Sequence, residues 1–301
     1  MAHKVNLPSV PPAPKIGLDV WMDKVLDLAE TARKDFDADA VHDLRVALRR
    51  CRTMAETLSE VNPDPGWRKL KKASKPLFQN LGRLRDCQVE RDWVKKIGGS
   101  GDAFRKHLLK TLADKEKHLK LDAAVELGRF ERKEWKKLAR KLGDRAQFFP
   151  LESVVFQRLA QSRAADAGEL FHKARKGRSR VAWHRLRIGL KQFRYNVENF
   201  LPERYEAWYP ELKSLQDLLG EIHDLDVLRT ESYRHSDGWD PAVIELWLEK
   251  IESARKTRLE QVKLRLGDKD SPILRWRAGL QNGRALQPVP AAAAALVERP
   301  A

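Results

Sequence analysis

The sequence predicts an all-α fold in which a series of four helices occurs twice. Three observations predict it. No stretch alternates apolar and polar residues in the manner of a half-buried strand. The segment VHDLRVALRRCRTMAETL at Val41–Leu58 returns without a gap as WHRLRIGLKQFRYNVENF at Trp183–Phe200. Clusters of Pro, Gly and Ser divide the chain into periodic segments that start again after Gly143–Pro150.

Residues 1–16 carry Pro8, Pro11, Pro12 and Pro14 and read as an extended, disordered leader. A first helix is expected from about Leu18 to Asp35, with Val20, Val25, Leu26 and Leu28 among its apolar residues. Asp37–Asp39 supplies a cap for the second helix, which carries the repeated motif and stops at Asn62-Pro63-Asp64-Pro65-Gly66. The third runs from about Trp67 to Lys96 and closes at Gly98-Gly99-Ser100-Gly101; the fourth is expected as one helix from Asp102 to about Leu142. These form repeat one, residues 17–142.

Repeat two spans 150–267. Its first helix covers about Leu151–Lys176, and Gly177-Arg178-Ser179-Arg180 leads into the second motif helix, which stops at Leu201-Pro202. Tyr205–Arg234 follows, with a break expected at Pro210, and then about Pro241–Leu266. Residues 268–301 read as a C-terminal tail, with a short helix at Ser271–Gly279 and a loose Pro- and Ala-rich end from Gln287.

The motif helices are built alike. Leu44, Leu48, Cys51, Ala55 and Leu58 form an apolar stripe, matched by Leu186, Leu190, Phe193, Val197 and Phe200. Beside it His42, Arg45, Arg49 and Arg52 fall at i, i+3, i+7 and i+10, a second stripe at ~100° per residue. His184, Arg187, Lys191 and Arg194 repeat it. Like charges at such spacing repel by roughly 0.2–0.5 kcal/mol per pair. A repulsion kept twice in one register points to an anion that relieves it. The copies are not identical: Arg49 faces Lys191 and Arg50 faces Gln192.

Composition agrees with an anionic partner. The formal charge is +16 and the pI near 9.9, which admits nucleic acid, polyphosphate or an anionic membrane. Two cysteines, Cys51 and Cys87, are too few for a disulfide framework. No signal peptide or apolar run of membrane-spanning length is recognisable, so a cytoplasmic protein without a membrane partner is expected.

After each motif comes Leu-Gly-x3-Asp: Leu81-Gly82-Arg83-Leu84-Arg85-Asp86 and Leu219-Gly220-Glu221-Ile222-His223-Asp224. With the doubled His-x2-Arg-x3-Arg/Lys-x2-Arg pattern, this resembles the CHAD domain, the conserved-histidine α-helical domain, over about Leu18 to Leu266. The resemblance implies two pseudo-symmetric four-helix bundles with a central basic groove or channel. It also implies binding of inorganic polyphosphate there and association with polyphosphate granules.

The helix after each motif helix adds Lys72, Lys75 and Arg85 in repeat one, and Lys213 and His223 in repeat two. Lys75 aligns with Lys213 and Arg85 with His223. Gly82 and Gly220, each costing roughly 1 kcal/mol mid-helix relative to Ala, mark a close approach by a backbone or a ligand, or else plain helix packing. Asp86 and Asp224 would repel an anion and are expected to orient an arginine or histidine. His223, Asp224 and Asp226 resemble metal ligands, but three groups at helical spacing do not converge, so no metal and no cofactor is expected.

The expected function is therefore polyphosphate binding without catalysis. RNA binding is the second candidate, weakened by the lack of exposed aromatics interleaved with the basic stripes and of any reader motif. A phosphate-transfer or hydrolytic enzyme is third, lacking a Gly-rich phosphate loop or a convergent carboxylate set.

Overall fold

The computed structural model describes residues 16–281 except 178, 268 and 270; the proline-rich leader through Lys15 and the end from Gln287 lie outside them. Among the described residues there are ten helices and no strand. The first half holds α1 (Leu18–Ala32), α2 (Ala38–Val61), α3 (Pro65–Ile97), α4 (Ala103–Arg129) and α5 (Arg132–Ala146). The second holds α6 (Val154–Lys176), α7 (Arg180–Phe200), α8 (Pro202–Arg234), α9 (Pro241–Gly267) and α10 (Pro272–Gln281).

Each half follows one packing order. α1 lies on α2, α2 on α3, α3 on α4, and α5 returns to α1; α6 to α10 repeat these neighbours. The series is thus five helices rather than four. The single helix expected at 102–142 breaks at Phe130, whose backbone is extended. Burial decides this. Phe130 turns inward against Trp135, with ring centroids 5.2 Å apart, and the Trp135 indole donates to the Met22 carbonyl of α1 at 2.8 Å. The helix expected in the tail exists as α10, and its Trp276 is fully buried against Phe193 at 5.2 Å.

The break expected at Pro210 is absent: α8 runs through it, and α3 runs through Pro76. Both prolines are exposed, so water can satisfy the carbonyls they leave unpaired. Both motif helices are capped at the start. The Asp37 carboxylate accepts from the N–H groups of Asp39 and Ala40 at 2.8 and 2.9 Å, and the Ser179 hydroxyl accepts from Ala182 at 3.3 Å. Every residue of the two apolar stripes is buried, as their period requires.

The halves meet along α2 and α7, and α3 touches both α8 and α9. This places the motif helices side by side with α3 and α8 flanking them. The seam is polar. Arg50 of α2 pairs with Glu198 of α7, Asn199 donates to Thr53 at 3.2 Å, and Arg163 of α6 reaches Glu60 at 2.9 Å. At the far edge Lys115 of α4 bridges Glu90 of α3 and Glu231 of α8 at 3.4 and 3.3 Å.

Candidate functional site: a basic groove between the halves

The cationic stripes converge. The Lys191 ammonium on α7 is surrounded by Arg187 on its own helix and by Arg49 and Arg45 from α2. The Arg49 guanidinium lies 5.3 Å above the Tyr195 ring of α7, directly across the seam. His42 feels Arg85, Arg49 and Arg45, while His184 and His223 stand with ring centroids 5.0 Å apart beside Arg187 and Lys191. His42 and His184, both exposed, thus stand beside one cationic cluster.

Crowding sets the protonation of this groove. Burial together with the three arginines brings Lys191 down to about 7, and Asp224 opposes that only weakly. His223 falls to about 4, chiefly by burial and then through Arg187, His184 and Lys191. His42 is lowered by burial and by Arg85. The Nε atoms of Arg49 and Arg187 are buried without a hydrogen-bond partner, a condition shared with Arg50, Arg91, Arg105 and Arg194, but among the described residues neither Arg49 nor Arg187 makes an ion pair that would offset it. Positive charge is in excess here, and part of its hydrogen-bonding capacity is open.

Some arginines are held by protein. Arg52 donates to the Lys71 carbonyl at 2.6 Å and to the Ser74 hydroxyl at 2.9 Å. Arg45 donates to the Phe78 carbonyl at 3.3 Å, and the Phe78 ring carries Arg45 and Arg52 at 5.1 and 5.0 Å. Gly82 explains how Arg45 fits: a Cβ there would stand 2.7 Å from the Arg45 Nη1. The close approach at this glycine is by a side chain of the protein. At Gly220 nothing lies within 4 Å, so the equivalent face of α8 borders open space.

The second copy departs from the expected set at two positions. Arg194 is engaged by Gln216 at 2.7 Å, Tyr205 at 3.4 Å and Glu198 at 3.5 Å, which leaves it a structural member of the seam. Glu198 lies one turn on, at i+4; its counterpart Glu56 is drawn instead to Lys71 at 2.8 Å. Lys213 is exposed and pairs with Asp217, again one turn on, at 2.6 Å. Lys72 and Lys75 are exposed on α3.

Asp86 and Asp224 sit on the rim. Asp86 acts on Arg45 and Arg187, and Asp224 on Arg187 and Lys191 while accepting from the Trp93 indole. Burial raises Asp224 above the usual carboxylate range. Each acid thus acts on arginines, one of them shared between the two. Tyr195, Phe78 and Trp93 are contributors that the motif comparison missed. Tyr195 carried a signal: it follows Arg187 and Lys191 at i+4 steps and so lies on their stripe.

The molecule is an all-α protein of two similarly packed halves whose repeated helices share one cationic groove. It belongs to the CHAD domain family, whose family model matches residues 19–232. The fold is similar to the crystal structure of the CHAD domain from the plant Ricinus communis, with a TM-score of 0.58 and 21% identity over 90% of this chain and 91% of that one. It is also similar to PptA from Streptomyces chartreusis, with a TM-score of 0.60 and 16% identity over 90% of this chain and 100% of that one. No curated protein matches the chain.

Proposed function

We propose that this protein binds inorganic polyphosphate along the groove between α2 and α7, without cleaving it, and that granules of the polymer are its cellular destination. The observation that carries this reading is the Lys191 cluster: four cations from both halves, two of them with buried, unpartnered Nε atoms. An array that represses its own charge is stabilised by an anion. Each cationic stripe spans eleven residues, roughly 15 Å of helix from end to end at a rise of ~1.5 Å per residue. A linear polymer engages the whole stripe, whereas a single phosphate engages one end. Arginine forks suit phosphate oxygens, and each charge-assisted bond contributes roughly 1.5–3 kcal/mol. Polyphosphate binding as a property of CHAD domains supports the same reading.

RNA is disfavoured by the aromatics that line the groove. Phe78 is covered by Arg45 and Arg52, and Tyr195 faces Arg49, so these rings are taken by guanidiniums rather than offered to bases. The test is competition between long polyphosphate and RNA of matched charge, with phosphate release followed in the same tube. Retained polyphosphate, weak competition by RNA and no released phosphate are expected. Equal competition would favour the nucleic-acid reading, and steady release would make the protein an enzyme.

A further inference from the structure

The two helices that flank the groove differ in charge. Between Asp64 and Asp86, α3 holds seven lysines and arginines and no acid. The matching stretch of α8, Glu203–His223, holds five acids against two such cations. Glu206 stands where α3 has Arg68, and Glu221 where it has Arg83. Lys213, the counterpart of Lys75, is taken by Asp217, whereas α3 has Gln79 at that position and leaves Lys75 without a carboxylate one turn on.

Three of the α3 cations form a row beside the groove. Arg68, Lys72 and Lys75 fall at i, i+4 and i+7, on one face of the helix. All three are exposed, and among the described residues none of their side chains makes an ion pair or a hydrogen bond. The acids that border the row are occupied: Glu56 holds Lys71 at 2.8 Å, and Asp64 holds Arg145. The row adjoins the end of the α2 stripe. Arg52, the last member of that stripe, donates to the Lys71 carbonyl and the Ser74 hydroxyl. Lys72 and Lys75 directly follow these two residues, so each stands ~100° round α3 from where the stripe meets it.

We propose that Arg68, Lys72 and Lys75 form a second interaction surface, which holds the part of a long polyphosphate chain that leaves the groove past Arg52. The inference rests on the reading that the groove binds polyphosphate, and adds that the polymer leaves it on one side only. Over α3 the chain meets unpaired cations. Over α8 it meets the exposed Glu206 and a lysine already neutralised by Asp217. The row lengthens the cationic path by roughly 10 Å of helix at a rise of ~1.5 Å per residue. Lysine ammoniums suit a loosely held polymer, because a point charge on a long stem requires no fixed phosphate geometry. A second contact by the same chain raises affinity through effective concentration, without any new contact in the groove. A chain too short to pass Arg52 gains nothing, so the row selects for length.

The experiment measures the affinity of the full chain for long-chain polyphosphate, for tripolyphosphate and for RNA of charge matched to the long chain. Wild type is compared with Arg68→Gln/Lys72→Gln/Lys75→Gln, with Arg45→Gln/Arg49→Gln, and with Lys133→Gln/Lys136→Gln/Lys137→Gln. The last removes the same charge from exposed, unpaired lysines on α5 and controls for net charge. The α3 triple is expected to lose at least about fivefold for long chains and nothing for tripolyphosphate. Its slope of log affinity against log salt should fall by about two, at roughly 0.7 for each phosphate no longer neutralised. The α5 triple should lose less than about twofold. Wild-type affinity of the α3 triple for long chains would overturn the proposal, as would an equal loss in the α5 triple, or a loss confined to RNA. The groove variant separates the two readings. If it loses both phosphate ligands while the α3 triple binds like wild type, the α3 surface alone fails. If it binds both like wild type while the α3 triple loses long chains, the groove reading alone fails.

Discussion

Lys191, His223 and the paired glycines carry the most testable consequences at the scale of single residues. The Lys191 ammonium is disfavoured in the fold and lowered from 10.5 to about 7. Between those values the unfolded chain holds a proton that the folded chain has released, so stability should rise with pH across this window. A bound polyanion reverses the shift. Binding near pH 8 should therefore take up about one proton, read as a dependence of calorimetric enthalpy on buffer ionisation. The dependence should shrink in Lys191→Gln; equal slopes in both proteins would remove Lys191 from the site. His223 is lowered from 6.5 to about 4, so its neutral form stabilises the fold, and that contribution is lost as pH falls from ~6.5 towards ~4. The glycines make a separate pair. Gly220→Ala adds a methyl group where nothing lies within 4 Å and should stabilise the helix by about 1 kcal/mol. Gly82→Ala must displace the Arg45 guanidinium, so it should weaken polyphosphate binding several-fold. Thermal melts and binding isotherms on the two variants check this; equal effects on binding would contradict the asymmetry.

Single helices show where the sequence was legible and where it was not. Both motif helices were visible because their apolar stripes hold a strict period over fifteen residues and every stripe residue is buried. The break between α4 and α5 left no Pro or Gly at the corner itself; it is made by Phe130 and Trp135 burying against α1, a tertiary cause that local letters do not display. α8 continues through Pro210 because the missing hydrogen bond faces water. Of the site, the cationic stripe was readable from spacing, but the choice of partner was not. Glu56 and Glu198 occupy matching positions, yet Glu198 binds Arg50 and Arg194 in the seam while Glu56 binds Lys71. Glu198→Ala leaves two part-buried guanidiniums without their carboxylate and should cost about 3 kcal/mol of stability. Glu56→Ala, on an exposed pair, should cost under about 1 kcal/mol. Chemical denaturation of both variants decides it, and equal losses would mean that the seam does not depend on Glu198.

At the scale of the molecule, the five-helix series recurs with the same neighbours, and the basic stripe of each half is completed only by the other. This complementarity connects the repeated motif to the site: either half alone carries one charged edge, and the two together bring both edges to one seam. Binding should weaken with added salt, yet less steeply than for an open surface patch, because part-buried charges are poorly screened. The central claim is that both edges grip the same polymer. The most direct measurement is the affinity for long polyphosphate of Arg45→Gln/Arg49→Gln, of Arg187→Gln/Lys191→Gln, and of the fourfold variant, each shown to be folded by circular dichroism. Each pair is expected to lose at least about tenfold, equivalent to ~1.4 kcal/mol, and the fourfold variant to lose retention altogether. Wild-type affinity in either pair variant would show that the polymer binds one half or another surface, and the shared groove would be contradicted.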